Sequence, residues 1–393
     1  MKSAKHERVL VFGPTFSIHL YRWCRFLWLA GFCVDTVCER NAPGGFDYSQ
    51  FGKVIYLPED PHYIFLGAAR RAERCARGLL RRLSLKLFLR RYSALNYHWL
   101  ADYGKWGSMV RVRGRKHVIT CWGSDVNEIY LGLGPRDKEM VDCILRKCTA
   151  VTYNATSIRD TLLGSCTGLQ AEKIRQIDWG IDQNLFRPES RQVREEIRRN
   201  YGLPPNARTI LSPRLANPAY QNLGIIEWFK ASSLGTDWYL IMRIPPFNRD
   251  TSYVRQMKQS GKSYPRIIFD ERDIIYEELP NLYALADFCV HFPTNDGIAA
   301  SILEGIGCGV QTILNRNVAS HIELSGFYDL ILCDLYGLST EYLLDRLRRS
   351  EEIGARNRAI LEARHSEKVS ILRVKEVFGA GAVQAQVDRI AHY

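Results

Sequence analysis

The chain of 393 residues contains no run of about 18 uncharged apolar residues, the length a helix needs to cross a bilayer. No transmembrane helix is therefore expected. CxxC pairs are also missing. The eleven cysteines are scattered without metal-ligand spacing, which argues against zinc ribbons and against the disulfide framework of a small secreted domain. Reduced, buried thiols and no metal are the expectation. Internal repeats and low-complexity segments are lacking as well. The N-terminal MKSAKHERVLVFG runs into a strand pattern without the apolar core of a signal peptide. Acidic residues are in short supply, 42 against 54 basic ones, for a formal net charge of +12.

What is present is the composition of a soluble globular chain, 46% hydrophobic and 24% charged. Its length suits two domains, each with its own core. Short apolar runs alternate with helical patterns, which reads as α/β. Arg8 to Phe12 is a strand, Gly13-Pro14 a turn, Ser17 to Ala30 a helix closed by Gly31, and Val34 to Cys38 the next strand. Ala150 to Tyr153 and Lys173 to Ile177 complete a first domain over 1–178. A linker follows over 179–207. The second domain, 208–365, has strands near 209–213, 238–242, 266–269, 288–292 and 310–314. The helical stretch 366–393 is expected to cross back to the first domain.

The most informative stretch is FPTNDGIAASILEGIGCGVQTIL, residues 292–314. Asp296 lies eight positions before Glu304, and Gly297 and Ser301 lie between them. A buried-strand pattern, Phe288 to Phe292, precedes the loop, and a helical run begins at Ser301. Where a loop opens a helix after a parallel strand, free N–H groups and the positive helix end face a phosphorylated ligand. Glu304, one turn into the helix, is placed to accept hydrogen bonds from ribose hydroxyls.

This stretch resembles the acidic-x7-acidic motif of retaining, nucleotide-sugar-dependent glycosyltransferases of family 4. Two further segments share that resemblance. WGIDQNLFRP, residues 179–188, matches the family linker at Gly180, Ile181, Asp182, Phe186 and Pro188. Ser212-Pro213-Arg214-Leu215 looks like the family's strand-end arginine, whose planar fork suits a diphosphate. Two departures stand out. Asp296 replaces the usual glutamate, and Ala219 occupies the place of a second, lysine contact. Tyr220 or Arg243 would then supply the missing contact.

The resemblance implies the GT-B fold, two Rossmann-like domains facing a cleft. It also implies retaining transfer from a UDP- or GDP-type sugar without metal or cofactor. Arg214, Tyr220, Gly297 and Ser301 would contact the donor, Glu304 the ribose, and Asp296 the transferred sugar. In the N-terminal half, Ser17-Ile18-His19 resembles the family's first loop, with His19 near the acceptor or the sugar phosphate. Leu95 to Trp99 followed by Tyr103-Gly104 resembles another family segment, making His98 and Tyr103 acceptor-side candidates. Gly123-Ser124-Asp125 ends a strand, and Asp125 is a candidate to bond a sugar hydroxyl or take a proton. The same aspartate can instead hold its own turn.

Between Arg70 and Arg91 the chain has nine basic residues and one acid, Glu73. Helical spacing puts Ala69, Ala72, Ala76, Leu79, Leu80, Leu83 and Leu87 on one stripe. It puts Arg70, Arg74, Arg77 and Arg81 away from that stripe. Such a helix suits an anionic bilayer surface. The expected partners are thus a nucleotide-sugar donor, a glycan or lipid-linked acceptor and the inner face of the cytoplasmic membrane. No nucleic-acid signature accompanies the charge. Alternatives are a non-catalytic nucleotide-sugar or carbohydrate-binding protein, or an epimerase, on the same fold.

Overall fold

The computed structural model describes residues 7–39, 46–57, 88–102 and 115–379. The basic segment with Arg70, Arg74, Arg77 and Arg81 lies outside the described residues, as does Tyr103. The chain divides into two compact units. One holds the residues up to Trp179 together with those from Ser370 onward, and the other is Gly180–Val369.

Among the described residues each unit is built on one parallel sheet. The first unit contains β1 (Arg8–Phe12), β2 (Cys33–Glu39), β3 (Val54–Leu57), β4 (Ala94–His98), β5 (Lys116–Thr120), β6 (Ala150–Tyr153) and β7 (Ile174–Gln176), in the order β3-β2-β1-β4-β5-β6-β7. The second contains β8 (Arg208–Ser212), β9 (Trp238–Arg243), β10 (Ile267–Asp270), β11 (Phe288–His291), β12 (Gln311–Asn315) and β13 (Ile331–Cys333), in the order β10-β9-β8-β11-β12-β13. The strand order reverses between β1 and β4 in one unit and between β8 and β11 in the other. Loops leaving the carboxyl ends of strands at such a reversal diverge and open a crevice, the usual ligand position of open α/β sheets.

The first unit opens as its sequence dictates. Val9, Leu10 and Val11 are fully buried in β1. Ser17 caps the helix Ile18–Leu29, its hydroxyl accepting the His19 N–H at 3.2 Å. Leu20, Trp23, Cys24 and Leu27 form that helix's buried face. Gly31, at φ 96°, stops it where a side chain would be strained. The end of β1 also needs glycine. A Cβ on Gly13 would lie 2.8 Å from the His98 Cβ and the Leu20 Cδ1.

The division between units falls within the helix Glu367–Phe378. In the first unit, Ser370 Oγ donates to the Asp178 carbonyl at 2.9 Å, and Arg373 pairs with the Asp178 carboxylate. The Phe378 ring packs edge-on against Trp23.

In the second unit, Trp238 of β9 stacks on Phe288 of β11 with centroids 6.1 Å apart. Ile210, Leu240, Met242, Val290 and Ile313 fill the same core. The ten described cysteines are free thiols, most of them buried. Burial pushes the Cys24 thiol up to about 12. No described helix is long and apolar enough to cross a membrane.

Candidate active site

In the second unit the reversal point gathers the expected donor residues. Arg214 follows β8, and Asp296 sits on the loop after β11. Their side chains form an ion pair at 2.8 Å. The Arg214 guanidinium also lies over the Tyr220 ring, 4.0 Å from its centroid. Burial alone would lower the Arg214 pKa. The Asp296 carboxylate and Tyr220 outweigh burial, and the net direction is up. Ala219, where the family pattern has lysine, contributes its backbone: its carbonyl accepts the Thr294 N–H at 2.8 Å. That bond ties the loop after β8 to the loop after β11.

The loop after β11 runs into the helix Ala300–Gly307. Its N-cap is Ala299, which offers no side-chain acceptor. The first-turn N–H groups therefore lack a capping side chain. Ser301 Oγ is buried and has no hydrogen-bond partner among the described residues. Ser320 Oγ donates to the carbonyls of Asp296 and Gly297, each at 3.0 Å, and fixes the loop.

Glu304 is only 5% exposed, and the Tyr283 hydroxyl donates to its carboxylate. The helix 300–307 is buried on nearly every side, so Glu304, one turn in, is held inside the unit rather than standing in open solvent. Burial and then the Glu304 carboxylate push the Tyr283 phenol well above its ordinary value. Arg243 supplies no spare charge. It is 7% exposed and pairs with Asp270 at 3.5 Å while donating to the carbonyls of Asp270 and Arg272.

Sequence reasoning missed two histidines here. His291 ends β11 at 1% exposure, and neither ring nitrogen has a partner among the described residues. His321 Nδ1 donates to the Asn315 carbonyl at 3.0 Å, which leaves Nε2 as the lone-pair nitrogen. Burial, then Arg214, holds the His291 pKa well below its ordinary value. Burial lowers His321 to about 4 against the opposing Asn315 bond, and Arg214 adds to the lowering. The available signal was the placement of His291 directly before the motif loop.

Two hollows on the same unit, of about 600 and 940 Å³, include none of Arg214, Asp296 or Glu304.

In the first unit the reversal point between β1 and β4 carries an aromatic group. His19 packs against Trp122 and Trp179, with centroids 5.3 and 4.7 Å away. Trp99 meets Trp122 edge-on at 5.5 Å. His98 is fully buried and uses both ring nitrogens. The Trp122 indole N–H donates to Nδ1 at 3.1 Å, so Nε2 carries the proton and meets the Asn96 Oδ1 at 3.0 Å.

His98 thus orients Trp122. Asp125 is likewise held by its neighbours. It is fully buried, and its carboxylate accepts the backbone N–H groups of Leu100, Trp122 and Gly123 at 2.8–2.9 Å. Burial raises its pKa and those three bonds oppose the rise, which fits an acid that anchors two loops. Gly123, at φ 135°, allows the chain to turn into that position.

Comparison with known proteins follows the same lines. Residues 8–155 match the family model described as Glycosyl transferase 4-like. The fold is shared with solved structures over nearly the whole chain. Anabaena HepE, solved with UDP and glucose, superposes with TM-score 0.74 at 13% identity over 94% of this chain and 99% of that one. Sucrose-phosphate synthase from Thermosynechococcus elongatus gives TM-score 0.75 at 14% identity over 95% and 98%. The chain has the GT-B fold. A Rickettsia africae glycosyltransferase is similar at TM-score 0.72 and 14% identity over 96% and 100%. No curated protein sequence matches the chain.

Proposed function

We propose that the chain is a glycosyltransferase that moves a sugar, with retention of configuration, from a nucleoside-diphosphate sugar to a glycan. The observation that carries the reading is the meeting of Arg214, Asp296 and the uncapped start of the helix 300–307 at the β8–β11 reversal. Arg214 and the free N–H groups receive the diphosphate. The diphosphate competes with Asp296 for the guanidinium, and the released carboxylate stabilises positive charge on the transferred sugar as its bond breaks. Ser301 and Gly297 lie on the same approach, Tyr220 keeps Arg214 in place, and Glu304 binds the ribose. Retention follows from front-face attack assisted by the leaving phosphate, the course the family resemblance implies.

The acceptor in this reading is a glycan of surface polysaccharide or lipopolysaccharide assembly, free or on a lipid carrier. The protein docks on the inner face of the cytoplasmic membrane through the arginines of 70–81. The sequence pattern of that segment supports this part. A screen of UDP-, GDP- and ADP-sugars, read by release of nucleoside diphosphate, tests the donor. Release from one nucleotide class is expected. Absence of both release and nucleoside-diphosphate binding overturns the reading, and interconversion of the sugar without release favours the epimerase.

A further inference from the structure

We propose that Trp99 and Trp122 form a stacking platform that holds a pyranose ring of the acceptor at the β1–β4 reversal of the first unit. The inference rests on the transferase reading only for the word acceptor; the platform itself is read from this unit alone. Trp99 directly follows β4, and Trp122 lies just after β5. The two strands are neighbours in register, with His98 opposite Thr120. Trp99 and Trp122 are both partly exposed. Phe16, in the loop leaving β1, is 45% exposed at the same edge.

The platform is built and held. Trp99 has φ 69°, a left-handed conformation that is strained for a bulky residue. Its N–H donates to the Thr120 carbonyl at 3.1 Å, and the next N–H, that of Leu100, donates to Asp125. Asp125 also takes the Trp122 N–H, so one buried carboxylate fixes both tryptophan loops. His98 takes the Trp122 indole N–H and sets that ring's orientation. The fixed strain and the buried anchors serve two rings that stay partly open to solvent.

The geometry selects the ligand class. The Trp99 and Trp122 planes cross at 69°. They make a floor and a wall, with no parallel slot for a planar base. A pyranose has one face of weakly positive C–H groups, which suits the negative face of an indole. Its hydroxyl edge suits the polar end of the adjoining helix at Ser17 and His19.

Saturation-transfer NMR on the full chain tests the platform with methyl α-mannopyranoside, methyl β-glucopyranoside and methyl β-galactopyranoside, with uridine as the planar control. Calorimetry with UDP, GDP and ADP reports on the second unit in the same samples. At least one glycoside should receive saturation on its C–H face. Trp99→Ala should weaken that glycoside by about tenfold, and Trp99→Phe should restore most of it. Nucleoside-diphosphate affinity should stay at the wild-type value in both variants, which also shows that they fold. If no glycoside responds with wild type, or if Trp99→Ala responds equally, the platform is overturned. If glycosides respond while no nucleoside diphosphate binds, the platform stands and the transferase reading falls.

Discussion

Arg214 and Asp296 meet at 2.8 Å although 81 residues separate them in sequence, and the Tyr220 ring lies beneath the guanidinium. The parallel pairing of β8 with β11 brings them together, because each lies on the loop leaving one of these strands. The pair joins the two residues to which the proposed function assigns the diphosphate and the transferred sugar.

Arg214→Lys tests that junction. Lysine keeps the charge but loses the planar fork and the stacking on Tyr220. Turnover should fall by at least about tenfold, equivalent to ~1.4 kcal/mol of transition-state stabilisation. Steady-state kinetics on the donor found in the screen measures this. An unchanged kcat/KM would place the arginine outside the diphosphate site.

Glu304→Gln tests the ribose contact with little change of shape. Removing a charge-assisted hydrogen bond should weaken nucleoside-diphosphate binding by about 1.5–3 kcal/mol. Glutamine still offers an oxygen to the Tyr283 hydroxyl, so the melting temperature should change little. Glu304→Ala is the poorer probe, since it leaves that buried hydroxyl unpaired. Wild-type affinity of the glutamine variant by calorimetry would remove Glu304 from the ribose site.

Much of this arrangement is legible in the sequence because it is local. Arg8–Phe12 and Ala150–Tyr153 are short apolar runs between turn signals, and they are strands at those residues. The motif loop and its helix are legible for the same reason. Edge strands were harder: Val54–Leu57 and Ile331–Cys333 are four and three residues long and carry little pattern. His98 and Asp125 show a different limit. A Gly-Ser-Asp turn reads the same whether its carboxylate meets a sugar or three backbone N–H groups. His291 and His321 were missed because only the fold brings both under the influence of Arg214.

Asp125→Asn addresses the loop anchor. The amide keeps one oxygen and brings an NH₂ group against backbone donors. The variant should lose about 1–3 kcal/mol of stability, the cost of leaving buried donors unsatisfied, as read by urea unfolding. A variant with unchanged stability but abolished turnover would return Asp125 to the chemistry.

The basic segment makes a prediction from sequence alone. Replacing Arg70, Arg74, Arg77 and Arg81 with Gln removes roughly 4 kcal/mol of attraction to an anionic surface. Co-sedimentation with anionic vesicles should drop, and wild-type binding should fade with added salt. Wild type that ignores anionic vesicles would remove the membrane from the proposal.

His321 gives the stability a pH dependence whose sign can be worked out. Its pKa is lowered to about 4 in the folded chain, against about 6.5 when unfolded. Below 6.5 the unfolded chain takes up the proton first, so acid favours unfolding. The stabilising contribution is complete above about pH 6.5 and is lost progressively as the pH falls towards 4. A shift of that size corresponds to about 3 kcal/mol. His291, lowered for the same first reason, adds to the slope in the same direction. His321→Gln keeps a donor for the Asn315 carbonyl and removes the titration. Its loss of stability between pH 7 and pH 5, measured by urea unfolding at several pH values, should be visibly smaller than that of wild type. Parallel pH profiles for the two proteins would show that His321 does not stay neutral in the folded state.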